Sequence, residues 1–113
     1  MKKRFKVRWA ESAEFDLLGI IDHIGADSPK TAKKIFQRFL IEAKNLTDFP
    51  EKGRIVPELE RQNLTFFREL VIPPWRLIYK VSDDFVFVLA VFDSRQNLED
   101  VLLKRLLRSV QSS

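Results

Sequence analysis

The chain has no cysteine, one histidine, one tyrosine and three glycines among its 113 residues. Without cysteine there is no disulfide framework and no thiolate metal site, and one histidine cannot form a metal-binding cluster. No glycine-rich phosphate loop is visible. No stretch reaches the roughly 20 apolar residues that a membrane span needs, and the basic N-terminus lacks the apolar segment of a signal peptide. We therefore expect a cytoplasmic protein with no metal, cofactor or membrane contact.

The residues that are present suffice for one folded domain with a basic excess. Hydrophobic residues make up 45% of the chain and include ten phenylalanines, and the length predicts a single domain over residues 1–113. The net charge is +4, but residues 1–8 hold five basic groups and no acid, whereas residues 10–27 hold five acids and no base. This asymmetry suits binding to phosphate or to an acidic protein segment, and it also fits an ordinary solvated surface.

A short strand and a first helix are predicted at the N-terminus. Residues 5–9 alternate apolar and basic side chains, as a half-exposed strand does. From residue 11 to 24, apolar residues recur at three- and four-residue steps, which is typical of one face of a helix. Asp16 and Asp22 fall on the solvent side of this helix, and Gly25-Ala26-Asp27 ends the pattern.

A second helix is predicted to follow at once. Ser28 can cap the amides of the first turn, and Pro29 fits the first helical position because proline has no N–H to lose there. The apolar pattern runs to about Asp48, and Phe49-Pro50 ends it. Two such helices with a short break between them form an antiparallel hairpin.

Three strands are predicted in the second half of the chain. Residues 49–63 read as a loop, and the strands are Leu64–Ile72, Trp75–Val81 and Phe85–Phe92. The last of them is apolar on both faces, which predicts a central strand covered on both sides.

A final helix is predicted from Leu98 to about Ser109. It carries more apolar residues than one packed face requires, so it should pack against the sheet or against a partner chain. They are Leu98, Val101, Leu102, Leu103, Leu106, Leu107 and Val110. The order β-α-α-β-β-β-α predicts an α+β fold with an N-terminal strand, a helical hairpin on a small, mainly antiparallel sheet, and a C-terminal helix.

Seven short strings follow one another along the chain. They are AEFDL at 13–17, DSP at 27–29, LTDFPEKGR at 46–54, VPE at 56–58, FREL at 67–70, WRLIY at 75–79 and VFDSRQN at 91–97. Together they cover about residues 5–100, and in this order they resemble the RelE/ParE toxin superfamily, particularly its ParE-like, plasmid-stabilisation branch.

The resemblance implies the toxin of a type II toxin–antitoxin module, neutralised by a cognate antitoxin. It implies that the antitoxin covers the helical hairpin and the leucine-rich C-terminal helix, most simply with an acidic, amphipathic segment. A toxin dimer within a larger toxin–antitoxin complex is also compatible with it. RelE-like members cleave messenger RNA on the ribosome, whereas ParE-like members inhibit DNA gyrase.

The resemblance also indicates three candidate site residues for the RelE-like alternative. Arg76 and Arg95 align with arginines that stabilise the transition state of RNA cleavage in RelE-like relatives, and Arg68 lies near the position of a further basic residue. Cross-strand pairing could bring Arg68 and Arg76 together. Each arginine also has a structural interpretation. In it, Arg68 alternates with Glu69 across an amphipathic strand, Arg76 pairs with Asp93 or Glu69, and Arg95 anchors the last helix.

Groups that transfer protons are missing from the expected places. Residues 98–110 contain no tyrosine or histidine, Tyr79 has the strand parity of a core residue, and His23 lies on the first helix. Arginine has too high a pKa to shuttle protons. We therefore expect a gyrase inhibitor rather than an enzyme. A ribosome-dependent endoribonuclease using Arg76, Arg95 and Arg68 is the first alternative, and an inactive scaffold that only binds the antitoxin is the second.

Overall fold

The computed structural model describes the backbone of residues 3–111 and the side chains of residues 3–103 and of Arg105. The elements are β1 (Lys6–Trp9), α1 (Glu11–Asp27), α2 (Pro29–Lys44), a 3-10 turn (Asn45–Thr47), β2 (Arg54–Ile55), α3 (Pro57–Glu60), β3 (Phe67–Ile72), β4 (Trp75–Ser82), β5 (Phe85–Asp93) and α4 (Leu98–Gln111). The predicted α+β order is confirmed, with two short elements added. Within the described residues, no helix combines the length and the apolar character needed to cross a bilayer.

The two added elements lie in residues 49–63, which the sequence predicts to be a loop. β2 has two residues, and they pair in antiparallel register with Glu69 and Arg68 of β3. α3 is a single turn that starts at Pro57. Both elements are too short to show a hydrophobic period, and this is why the loop prediction is wrong here.

The helical hairpin turns on one residue rather than on the predicted break at residues 25–27. The Ser28 N–H donates to the Ile24 carbonyl and ends α1, while the Ser28 hydroxyl accepts from the Thr31 N–H and caps α2. Gly25 stays helical, and a side chain at its position would meet only the methyl group of Ala32, at 3.6 Å. The serine cap predicted from the sequence is therefore confirmed, but α1 continues through to Asp27.

The five strands form one sheet in the order β1-β5-β4-β3-β2. β1 and β5 run parallel and the other described pairs are antiparallel, so the sheet is mainly antiparallel as predicted. β5 lies inside the sheet, between β1 and β4. We call the sheet face that packs against α1 and α2 the helix face, and the opposite one the outer face.

Each face carries its own apolar cluster. The buried members on the helix face include Ala13, Leu17, Phe39, Ala43, Leu46, Leu77, Tyr79, Val86 and Val88. The buried members on the outer face are Val56, Ile78, Ala90, Phe92 and Leu98. The outer cluster is covered by α3 and by the start of α4, so β5 is covered on both faces near its end and only partly at Phe85 and Phe87.

α4 exposes apolar surface in its first turns. Leu98 is buried, but Leu102 and Leu103 are 40% and 55% exposed. This matches the prediction that the helix carries more leucines than its own packing needs. The side chains of Leu106, Leu107 and Val110, which belong to the same prediction, lie outside the described residues.

The end of β5 extends past β1 and is capped by side chains. β1 ends at Trp9, and Leu89 is an extra residue in β5, since Ile78 and Tyr79 of β4 lie opposite Ala90 and Val88. The Ser12 hydroxyl and the Arg105 guanidinium donate to the Leu89 carbonyl at this edge. The Asp16 carboxylate accepts from the Val91 N–H.

Asp16 also forms an ion pair with Arg105, which connects α1 to α4. Its side chain is only 14% exposed. The prediction that Asp16 faces solvent is therefore wrong, because the carboxylate replaces the strand partner that this part of the β5 edge lacks.

Candidate functional site

Four charged side chains form an alternating network on the outer face, which we call the Arg–Glu network. Arg76 of β4 donates from Nη1 and Nη2 to the two carboxylate oxygens of Glu58 on α3, over 2.7 and 2.8 Å. The Nε atom of Arg76 donates to Oε1 of Glu69 over 2.7 Å, and Nη2 contacts the same oxygen. Arg54 of β2 donates from Nε to the other oxygen of Glu69 over 2.6 Å. Two arginines alternate with two glutamates, so the formal charges cancel.

The network is partly removed from water. The side chain of Glu69 is fully buried and that of Arg76 is 9% exposed. Hydrogen bonding to Arg76 lowers the pKa of Glu58 to about 2, although partial burial opposes this. Hydrogen bonding to Glu58 and Glu69 raises the pKa of Arg76 above its usual value. Glu58 and Arg76 are therefore fully ionised near neutral pH.

An open cleft of about 410 Å³ lies beside the network on the outer face. It is lined by Arg54, Pro57, Glu58, Arg61, Val71, Arg76 and Ser94. An anion entering this cleft would have to compete with two carboxylates for Arg76, because the guanidinium already donates to both. Arg76 is thus poorly suited to place positive charge on a phosphate in this cleft.

Arg68 lies on the opposite face of the sheet from Arg76. In the pairing of β3 with β4, Arg68 is opposite Tyr79 and Arg76 is opposite Val71. Tyr79 belongs to the helix-face cluster, and Arg76 neighbours the outer-face cluster through the ring of Phe92, 5.1 Å away. The prediction that cross-strand pairing brings Arg68 and Arg76 together is therefore wrong.

Arg68 fastens the loop that precedes β2. Its Nη1 atom donates to the Gly53 carbonyl over 2.8 Å. The Tyr79 hydroxyl accepts from the Gly53 N–H and donates to the Pro50 carbonyl, over 2.9 and 2.7 Å. A Cβ at Gly53 would lie 2.4 Å from the Glu69 carbonyl oxygen, so only glycine fits. Burial raises the pKa of Tyr79, which keeps its phenol protonated and structural.

Arg95 lies two residues after the end of β5. Its side chain is 83% exposed and binds Asp93 through Nε and Nη2, over 2.9 and 2.6 Å. Hydrogen bonding to Arg95 lowers the pKa of Asp93 to about 2. Arg95 borders an open groove of about 500 Å³ that also contacts Phe15 and His23 of α1 and Trp75 of β4.

The structure does not bring the three predicted arginines into one site. Arg76 borders the outer-face cleft, Arg68 lies on the helix face, and Arg95 borders the groove beside α1. Of the two partners predicted for Arg76, Glu69 is confirmed. Asp93 is not its partner, because that carboxylate binds Arg95.

Arg54 and Glu58 complete the network, but no sequence pattern predicts a role for either residue. Glu58 occurs in the short string at 56–58, which indicates no role for it, and Arg54 lies on a strand of two residues that has no period. Across the described residues 3–111, no group of three or more His, Cys, Asp or Glu side chains could hold a metal ion.

Comparison with known proteins identifies the family of this small α+β protein. The family model described as "ParE toxin of type II toxin-antitoxin system, parDE" matches residues 7–98. The chain therefore belongs to the ParE toxin family of type II toxin–antitoxin systems, a member of the RelE/ParE superfamily. It is also similar to Toxin RelE2 of Caulobacter vibrioides, with 31% identity over 86 residues, or 76% of this chain and 91% of that protein.

Two solved structures share the fold. The chromosomal ParDE toxin–antitoxin system of P. aeruginosa contains a chain with a TM-score of 0.66 and 21% identity, and the match covers 80% of this chain and 96% of that one. The toxin–antitoxin complex RelBE2 of Mycobacterium tuberculosis contains one with a TM-score of 0.57 and 20% identity, covering 82% and 94%. At these identities the likeness concerns the architecture alone.

Proposed function

We propose that this toxin, a single domain over residues 1–113 acting in the cytoplasm, inhibits DNA gyrase by binding it and performs no chemistry of its own on RNA. The observation that carries the proposal is the state of the three predicted arginines. Arg76 donates to two glutamates, Arg95 to Asp93, and Arg68 to a backbone carbonyl. Carboxylates offset the charges of Arg76 and Arg95. Arg68 lies on the other face of the sheet from Arg76, so the three do not act together on one phosphorane-like transition state.

The side chains that could transfer protons are also poorly placed to act as a general acid or base. A general base works best with a pKa near the working pH, whereas the pKa of Glu58 is about 2. Tyr79 is buried with its hydroxyl engaged on the loop before β2. His23 is exposed on α1, on the groove that Arg95 borders, while Arg76 borders the cleft on the outer face.

Exposed apolar side chains support a protein target. Phe15 and Leu18 of α1 are 67% and 59% exposed, and Leu103 of α4 is 55% exposed. Large apolar side chains grouped at a surface commonly mark interaction sites. We propose that a cognate antitoxin covers α1 and α4 in the resting complex, which can also contain a toxin dimer, and that its release frees the toxin for gyrase.

The proposal is tested with purified gyrase and relaxed plasmid. The full-length toxin should inhibit supercoiling and trap cleaved DNA, and an equimolar amount of the co-encoded antitoxin should restore activity. Phe15→Ser/Leu18→Ser should weaken inhibition, whereas Lys33→Gln on the exposed side of α2 should not. Full supercoiling activity at a large excess of folded toxin would overturn the proposal.

The name of the Caulobacter relative, Toxin RelE2, supports one alternative, a RelE-like endoribonuclease. In that case the cleft lined by Arg54, Arg61 and Arg76 would bind messenger RNA on the ribosome. It predicts codon-positioned cuts in messenger RNA shortly after toxin induction, which disappear in Arg76→Ala and Arg95→Ala. Mapping of RNA ends in induced cells, run beside the gyrase assay, distinguishes the two.

A further inference from the structure

A row of alternating cationic and aromatic residues crosses the outer face beside the Arg–Glu network, and its member on β3 lies two residues before Glu69. Arg8 of β1 lies opposite Phe87 of β5, Phe87 lies opposite Lys80 of β4, and Lys80 lies opposite Phe67 of β3. Residues directly opposite each other on neighbouring strands project from the same face of a sheet. We call these four residues the cation–aromatic row.

Further rings and cations border this row. Phe85 stacks on Phe87 with centroids 5.4 Å apart and an angle of 20° between the rings. Phe66 contacts Phe67 with centroids 4.6 Å apart and is 54% exposed. Lys6 lies opposite Phe85 and is exposed. The surface therefore combines partly exposed aromatic rings with positive charge over adjacent strands.

The cations of this surface are not neutralised by carboxylates. Within the part of the chain that the structure describes, Lys6, Arg8 and Lys80 form no ion pair, although other cations of the sheet do, as at Arg54 and Arg76. Arg8 instead lies over the ring of Phe85 at 5.6 Å, and Lys80 lies over that of Phe66 at 5.9 Å.

The carboxylate in the turn beside this surface is already occupied. Asp84, in the turn between β4 and β5, forms an ion pair with Lys3 over 2.9 Å. Lys6 adds a weaker attraction to the same carboxylate, and the pKa of Asp84 is lowered chiefly by its hydrogen bond with Lys3. The positive charge of Arg8 and Lys80 therefore remains available to a ligand.

We propose that the cation–aromatic row binds single-stranded nucleic acid, with bases stacked on the phenylalanine rings and phosphates held by Arg8 and Lys80. Proteins that bind single strands combine these two features, because every base has a face that stacks and every nucleotide a phosphate. Strands lie about 4.8 Å apart, so a row over four strands spans about 14 Å and accommodates two or three bases. A duplex has its base faces already stacked and cannot use the rings.

The inference goes beyond gyrase inhibition and does not depend on it. The test uses the full-length toxin and fluorescein-labelled oligonucleotides of about 12 nucleotides, oligo-dT and oligo-U, with a duplex of equal length. Fluorescence anisotropy at several salt concentrations gives the affinity and its salt dependence. Preference for oligo-dT or for oligo-U then identifies DNA or RNA as the ligand.

Two pairs of variants separate stacking from charge. Phe66→Leu should weaken binding between about fivefold and a hundredfold, the range for loss of one base stack, whereas Phe49→Leu, at a similarly exposed phenylalanine on the loop after α2, should not. Arg8→Gln/Lys80→Gln should reduce the slope of log affinity against log salt by about 1.4, the value for two phosphates on a single strand. The charge-matched Lys33→Gln/Lys34→Gln on α2 should leave the slope unchanged.

Four results would overturn the proposal. The first is no binding at toxin concentrations up to about 100 μM, the weak end of the range for non-specific binding. The others are tighter binding to the duplex, equal losses in the Phe66 and Arg8/Lys80 variants and in their controls, and loss of antitoxin binding instead in the Phe66 and Arg8/Lys80 variants. The last would assign this surface to a protein partner. Thermal unfolding of each variant confirms that a loss of binding does not reflect a loss of fold.

Discussion

Glu69 connects the two arginines of the Arg–Glu network, and its replacement by glutamine tests whether the network holds the outer face together. Glu69→Gln keeps the side-chain shape, removes the charge and turns one acceptor oxygen into an amide donor. That amide would face guanidinium donors of Arg54 or Arg76 in a site closed to bulk solvent, since the Glu69 side chain is 0% exposed. Removing one partner from a buried charge pair costs about 3–5 kcal/mol.

We therefore expect Glu69→Gln to lower the free energy of unfolding by about 3–5 kcal/mol. This is a large part of the total for a typical domain, which is roughly 5–15 kcal/mol. Urea denaturation followed by circular dichroism measures this, and the melting temperature should fall by roughly 10–25 °C. Glu42→Gln is the matched control, because Glu42 pairs with Lys52 at 3.5 Å on the surface. It should cost less than about 1 kcal/mol. Equal small losses in both variants would refute the reasoning.

Three further perturbations follow from single contacts. The folded-state pKa of Glu58, about 2, lies below the ordinary value of 4.5. The contribution of Glu58 to stability is therefore present above pH 4.5 and is lost as the pH falls towards 2. Glu58→Gln should flatten the acid-unfolding curve between these two pH values. Gly53→Ala should destabilise by about 1–3 kcal/mol or more in urea, and Gly19→Ala, whose added methyl meets nothing within 4 Å, should not. Asp16→Asn breaks the ion pair with Arg105 and should cost about 1–3 kcal/mol; a change below 0.5 kcal/mol, roughly the noise of surface substitutions, would contradict the role of Asp16 at the β5 edge.

The order of elements is predictable from the sequence because it depends on local periodicity. Each local pattern predicts one element: the helix repeat from residue 11 predicts α1, the Ser28 cap predicts the start of α2, and the apolar run at residues 85–92 predicts β5. β2 and α3 are not predictable in this way, since two and four residues carry no period. Their positions depend on pairing with β3 and on contacts with Arg76, which are not local in sequence.

The site is less predictable than the fold because it depends on the register between strands. Alternation predicts correctly which residues share a side within β3 and within β4. The offset between the strands places Leu70 opposite Leu77, and this puts Arg68 and Arg76 on different faces. Asp16 shows the same limitation, since its helical position is compatible with solvent until β1 is found to end at Trp9 and to leave the β5 edge uncovered.

Replacement of both buried members of the network separates a structural Arg76 from a chemical one. Buried ion pairs exchanged for apolar side chains are often as stable or more stable, whereas removal of one partner is costly. Arg76→Met/Glu69→Leu leaves Arg54 and Glu58 behind, and their side chains are 62% and 28% exposed, so water can solvate both. We expect the double variant to be more stable than either Arg76→Met or Glu69→Leu alone, a clear departure from additivity.

The same double variant should still arrest growth and inhibit gyrase, because in the proposed function Arg76 acts only through the fold. Growth after induction, antitoxin capture and urea denaturation are measured on one set of proteins. A double variant that folds and binds the antitoxin but no longer arrests growth would show that Arg76 acts directly on a substrate. That result would favour the endoribonuclease, because phosphate chemistry requires a guanidinium that a methionine side chain cannot replace.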